Sequence, residues 1–192
     1  RGLGDVYKRQ ALSAPFPITK NSFLRKILRD LTGITGFRRY SQALLSILST
    51  GGDTTYSKIK GIWLKIHGFK ITNTIIFTAI SISFHWSLYF LLWWLPSFNY
   101  YRLIIRIRNI AEHCVTSGST DLDNTRTTLT NPIVRFMMAP HRVNYHLEHH
   151  LFMMCPWYNL PKAHTMMIEN GYKNKMCIEN SYRTVLMKAT NA

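Results

Sequence analysis

Apolar positions change their spacing along this chain, and each change predicts an element. In "SFLRKILRDLTG", Leu24, Ile27, Leu28 and Leu31 recur at helical intervals, with Arg25, Lys26 and Arg29 on the opposite face. Ser22 is the expected N-cap and Gly33 the stop. Such a helix suits either a membrane interface or the surface of a soluble core. A second helical pattern, "YSQALLSILS", ends at Gly51-Gly52. The stretch from Ile71 to Tyr101, "ITNTIIFTAISISFHWSLYFLLWWLPSFNYY", then holds no charged residue in 31 positions. As one helix it would extend about 46 Å, against a bilayer hydrocarbon core of about 30 Å. Counting from about Gly68 to about Ile110 gives room for two spans of roughly 20 residues. The favoured reading is a hairpin turning near His85-Trp86, with Arg102, Arg106 and Arg108 reaching back to the surface. Trp93, Trp94 and Pro96 inside the second arm count against it, and a single tilted helix is the alternative.

Beyond Ile110 the pattern turns polar. "AEHCVTSGSTDLDNTRTTLTNP" reads as a helix end and a long loop. A last helix, "LPKAHTMMIEN", is expected with Asn159 as cap, Pro161 in the first turn and Gly171 at its end. The expected fold class is therefore all-α: basic interfacial helices over residues 11–70, a transmembrane hairpin over 71–110 and a cytoplasmic region over 111–192. Residues 1–10 stand apart. "DVYKRQ" looks like the read-through of a sequencing-library adapter, and no initiator Met precedes it. The remainder is expected to be the C-terminal part of something longer.

Charge narrows the partners. Lys and Arg number 24 against 9 Asp and Glu, a formal +15. That excess suits nucleic acid or an anionic membrane surface. Its distribution favours the membrane, because basic residues flank the uncharged run on both sides and a nucleic-acid binder has little use for such a run. With both flanks basic, both belong on the cytoplasmic side. Three cysteines, Cys114, Cys155 and Cys177, without C-x-x-C spacing argue against a disulfide framework.

The candidate chemistry lies in "NYHLEHHLFMMCPWYNLPKAH". His146, His149 and His150 stand at i, i+3 and i+4, a spacing that lets them share one helical face. Neutral imidazole is a common ligand for Zn, Cu, Fe and Ni. The H-E-x-x-H order of zinc peptidases is not the order found here. His67 and His85 read as surface residues, His141 as a near neighbour of the cluster, and His164 as a helix residue that could support the ligands.

H-x-x-H-H after a membrane hairpin resembles the third histidine box of the membrane fatty acid desaturase superfamily. "APFPITKNSFLRKILRDLTGITG" is similar to the family segment after its second box, "RIRNIAEH" to the segment leaving its last membrane helix, and "NTRTTLTNP" to the region beyond that helix. The resemblance implies that His113, His146, His149 and His150 are iron ligands. Asn109 matches a polar position that can hold a metal-bound water. Glu112 and Glu148 are expected to orient ligand imidazoles. It also implies two irons per full-length chain, a lipid acyl substrate, an integral membrane location and an electron donor of ferredoxin or cytochrome b5 type. The first two boxes, H-x-x-x-H and H-x-x-H-H, are absent from this sequence, so the chain alone is expected to be inactive. Alternatives are a carotenoid ketolase or hydroxylase of the same superfamily, or a non-catalytic membrane-anchored metal-binding module.

Overall fold

The computed structural model describes residues 16–49, 54–116 and 120–190. Residues 1–10 and the Gly51-Gly52 stop lie outside them. The described residues are mostly helical, as the apolar spacing predicts. The elements are α1 (Lys20–Leu31), α2 (Ile34–Leu48), α3 (Thr55–Ser83), α4 (Ser87–Tyr89), a π-helical turn (Phe90–Trp94), α5 (Leu95–Phe98), α6 (Tyr100–His113), α7 (Pro132–Met138), α8 (His146–Leu151), α9 (Leu160–Glu169) and α10 (Tyr182–Ala189). Two short strands, β1 (Thr127–Thr128) and β2 (Ile178–Glu179), pair in parallel, Thr127 with Ile178 and Thr128 with Glu179. The chain divides into two compact units, residues 26–103 and the remainder, with the divisions falling within α1 and α6.

In the 26–103 unit, α3 and the segment from Ser87 form an antiparallel hairpin. The turn falls where the sequence placed it. Helix α3 ends at Ser83, and His85 Nδ1 accepts from the Ser87 backbone N–H at 3.3 Å and lies 2.7 Å from its hydroxyl. His85 is thus a turn residue. Asn73 links the two arms: its Oδ1 accepts from the Tyr89 hydroxyl at 2.7 Å and from Trp93 Nε1 at 3.2 Å. The second arm departs from the single helix expected. Pro96 offers no N–H to the turn before it and its ring needs room there, and the chain widens into the π turn immediately upstream. Helix α2 packs on α5 through Gly36, where a Cβ would stand 2.2 Å from the Phe98 carbonyl oxygen.

Among the described residues no helix is long and apolar enough to cross a membrane. The composition of the arms explains why the two spans expected over 71–110 are not found as such. Lys58, Lys60, Lys65 and Lys70 all lie before Ile71 in α3, and the uncharged part from Ile71 to Ser83 rises only about 20 Å. The other arm is divided by the π turn and again at Asn99.

In the other unit, Ile110, Ala111 and Cys114 pack with Ala139 and with Tyr182, Val185 and Ala189 of α10. A second cluster joins Leu147, Met167 and Met176. Capping sets the helix starts. Asn131 accepts from Val134 N at 2.8 Å ahead of α7, and Ser181 accepts from Thr184 N at 3.1 Å ahead of α10. Two cap assignments change. Thr19, not Ser22, supplies the side chain for α1, accepting from Ser22 N at 3.3 Å. Asn159 precedes α9 but makes no side-chain cap, because the chain enters from a 3₁₀ turn already helical. Gly171, at φ 83°, follows the end of α9 as expected. That helix is not the last, since α10 follows it.

Candidate metal centre

Two helices supply the cluster. Helix α6 ends on His113, and α8 begins on His146 and carries His150 one turn later. His146 Nε2 lies 3.1 Å from His113 Nε2 and 3.0 Å from His150 Nε2, and one ring nitrogen from each of the three lies within 4.8 Å of the others. Metal–nitrogen bonds of about 2.0–2.1 Å at octahedral or tetrahedral angles place neighbouring nitrogens about 2.9–3.4 Å apart. The two short separations fit the edges of one coordination sphere, and imidazole donors suit iron. Burial first, then the neighbouring His113, His150 and His149, push the His146 pKa down to about 2. Its ring is therefore neutral, as a ligand must be.

His149 is not brought into this cluster. Its side chain is exposed, with its ring centroid 6.1 Å from that of His146 and 5.9 Å from that of His150. The reason is angular. Positions i and i+4 differ by about 40° around a helix, whereas i+3 and i+4 differ by about 100°. Asn109, one turn before His113, is also exposed.

The two glutamates meet different partners. Glu112 accepts from Arg108 Nε and Nη2, both at 3.2 Å, and its other oxygen lies 3.9 Å from His146 Nε2. Burial raises its pKa, against the opposing Arg108. Glu148 is fully buried. Its oxygens meet His164 Nδ1 at 2.6 Å and the Thr127 hydroxyl at 2.5 Å. His164 thus belongs to the support of the box helix. Cys114, with its pKa pushed up to about 11 by burial, is a thiol rather than a thiolate ligand. His67 Nδ1 lies 3.3 Å from the Trp63 carbonyl of its own helix. The His141 ring stands edge-on to Trp157 at 5.2 Å.

Sequence reasoning missed the role of Thr125–Thr128. All four residues are buried although they read as polar loop. Arg126 donates to the carbonyls of Ala111 (3.1 Å), Cys114 and Val115 (both 2.9 Å), at the end of α6. The available signal was an arginine among threonines following a helix end, since a cation suits the carbonyls left there.

No curated protein and no solved structure matches the chain at a significant level. The family model for fatty acid desaturase matches residues 5–178, a range holding the whole histidine cluster and both helices that carry it, and the chain belongs to that family.

Proposed function

We propose that this chain carries the third-box portion of an O₂-dependent, iron-using membrane desaturase that introduces a double bond into a fatty acyl chain. The observation that carries the reading is the convergence of His113, His146 and His150 on one point in a chain of this family. Their Nε2 atoms would hold one iron. His149 faces elsewhere and would serve a second, whose other donors lie outside the described residues. Bound iron would supply the oxidant that O₂ and two electrons provide for breaking an unactivated alkyl C–H bond. The balance is CH₂–CH₂ plus O₂, two electrons and two protons, yielding CH=CH and two waters. The protein's own part is to keep His146 neutral in a buried setting and to hold Glu112 beside it, charge-balanced by Arg108. The electrons would come from a ferredoxin or cytochrome b5 type partner.

A membrane location accounts for the hairpin's outward apolar residues, among them Ile75, Ile82, Phe84, Trp86 and Leu92. Basic residues on both sides of the run favour a cytoplasmic histidine box. Single cysteines introduced near Lys60 and near Asn174 should label from the same side in sealed vesicles; labelling from opposite sides removes this topology.

Product analysis tests the reaction. Full-length protein containing this sequence is expressed with a reductant, in a host holding both fatty acyl lipids and carotenoids. It should yield a new acyl double bond. A keto or hydroxyl group on a carotenoid ring, with the acyl profile unchanged, would assign it to the ketolases or hydroxylases instead.

A further inference from the structure

The two helices that supply the cluster are 33 positions apart at their ligands, His113 and His146, and something must set their spacing. Residues 126 and 127 touch both. The Arg126 guanidinium is buried and closes the end of α6 through three carbonyls, those of Ala111, Cys114 and Val115, which bracket His113. Its backbone N–H adds a bond to the Glu112 carbonyl at 3.1 Å. The next side chain goes to the other helix. The Thr127 hydroxyl meets Glu148, which lies between His146 and His150 in the chain, and His164 holds the second Glu148 oxygen. Consecutive side chains of an extended segment leave on opposite sides, which is why adjacent residues can reach different helices. The backbone repeats the pattern: Thr127 N bonds to the Cys177 carbonyl at 3.0 Å and Thr128 N to the Asn144 carbonyl at 2.9 Å, just ahead of His146.

We propose that Arg126 and Thr127 are the positioning pair of the histidine cluster, one fixing the end of the helix that bears His113 and the other the helix that bears His146 and His150. This rests on the metal-centre reading above. A carboxylate hydrogen-bonded through both oxygens resists rotation, which restrains α8 at Glu148. An arginine across the last carbonyls prevents α6 from unwinding at the turn where His113 sits. Supporting groups of this kind typically change metal affinity about 10–100-fold when removed.

The test is Co²⁺ titration of the whole chain, followed by the visible absorption of the bound ion, which reports its ligand geometry. Thr127→Val keeps the shape and loses the hydroxyl; it should weaken Co²⁺ binding about tenfold or more and alter the spectrum. Thr127→Ser should restore both. Val185→Ala, in the same unit's core, should lower the melting temperature without moving either. If Thr127→Val behaves as Val185→Ala does, the positioning role is overturned. Should Thr127→Val fail to fold, Arg126→Lys reads the other half. It keeps the charge but has no fork to span the carbonyls, and wild-type affinity in that variant would overturn the proposal. A wild-type chain that binds no Co²⁺, or binds it equally well as His113→Ala and His146→Ala, fails the metal reading itself and takes the positioning pair with it.

Discussion

The two units of this chain solve opposite burial problems. Among the described residues of 26–103, Tyr89 is the only large apolar side chain that is buried, while Phe37, Leu45, Ile75, Ile82, Phe84, Trp86 and Leu92 all face outward. Its internal contacts include aromatic pairs, Tyr40 on Trp94 and Phe98, Phe69 on Trp94 and Phe77 on Tyr89, beside the Asn73 link. The other unit buries Ile110, Leu147, Leu160 and Val185, and beside them the polar Arg126, Thr127, Asn144 and Glu148. Buried polar groups are costly unless hydrogen-bonded, and each of these four makes at least one such bond, to backbone carbonyls, to one another or to His164. Arg126 Nε and Asn144 Oδ1, though, have no hydrogen-bond partner among the described residues. One unit therefore buries hydrogen-bonded polar groups beside its apolar core, and the other leaves most of its large apolar side chains on the outside.

The largest expected effect sets the two apart by metal. His113→Ala, His146→Ala and His150→Ala should each weaken Co²⁺ binding by at least about 100-fold, more than loss of a supporting group costs. His67→Ala and His85→Ala, in the hairpin unit, should leave it unchanged. A loss of equal size from His67→Ala would erase the contrast.

Next comes packing. Gly36→Val sets a Cβ against the backbone at Phe98, so α2 or α5 must shift. Overpacking of this kind should cost about 3 kcal/mol in denaturant titrations of the detergent-solubilised chain. The contrast sharpens if Co²⁺ affinity stays at the wild-type level in this variant, and breaks if it falls.

The smallest effect is a pH dependence confined to the polar interior. Burial, then the charge of Glu112, pushes the Tyr182 pKa up to about 12 from an ordinary 10. A raised folded-state pKa means that its contribution is fully present below pH 10. It is lost as pH rises from 10 towards 12, because the unfolded chain releases the proton first. The change is of order 2–3 kcal/mol. Tyr182→Phe should flatten that part of the stability curve, measured by denaturant midpoints from about pH 9 to about 12. A variant that follows the wild-type curve would place the alkaline sensitivity elsewhere.

Local signals were legible in the sequence wherever one residue type forces one geometry. The uncharged run, the turn at His85, the kink-prone Pro96 and the pairing of His146 with His150 all follow from spacing or from backbone chemistry. What escaped depends on residues distant in sequence. Helix α10 is eight residues long, and its place is set by Tyr182, Val185 and Ala189 meeting Ile110 and Ala111, far earlier in the chain. Nothing in "NTRTTLTNP" alone says that its arginine faces a helix end and its threonine a glutamate. Helical spacing alone did not separate His149, at i+3, from His150, at i+4, which lies with His113 and His146.

The pairing of β1 with β2 has a consequence for how this family's sequence unit is delimited. The matched stretch closes at residue 178, inside β2, yet Thr128 is paired with Glu179 and the core around Ile110 is completed by Tyr182, Val185 and Ala189. The recognisable pattern therefore stops short of residues that complete this core. A polypeptide trimmed to the pattern would keep every histidine and lose part of the scaffold behind them. Tags, fusions and truncations designed on this chain should keep residues at least through Thr190, not stop at Ile178.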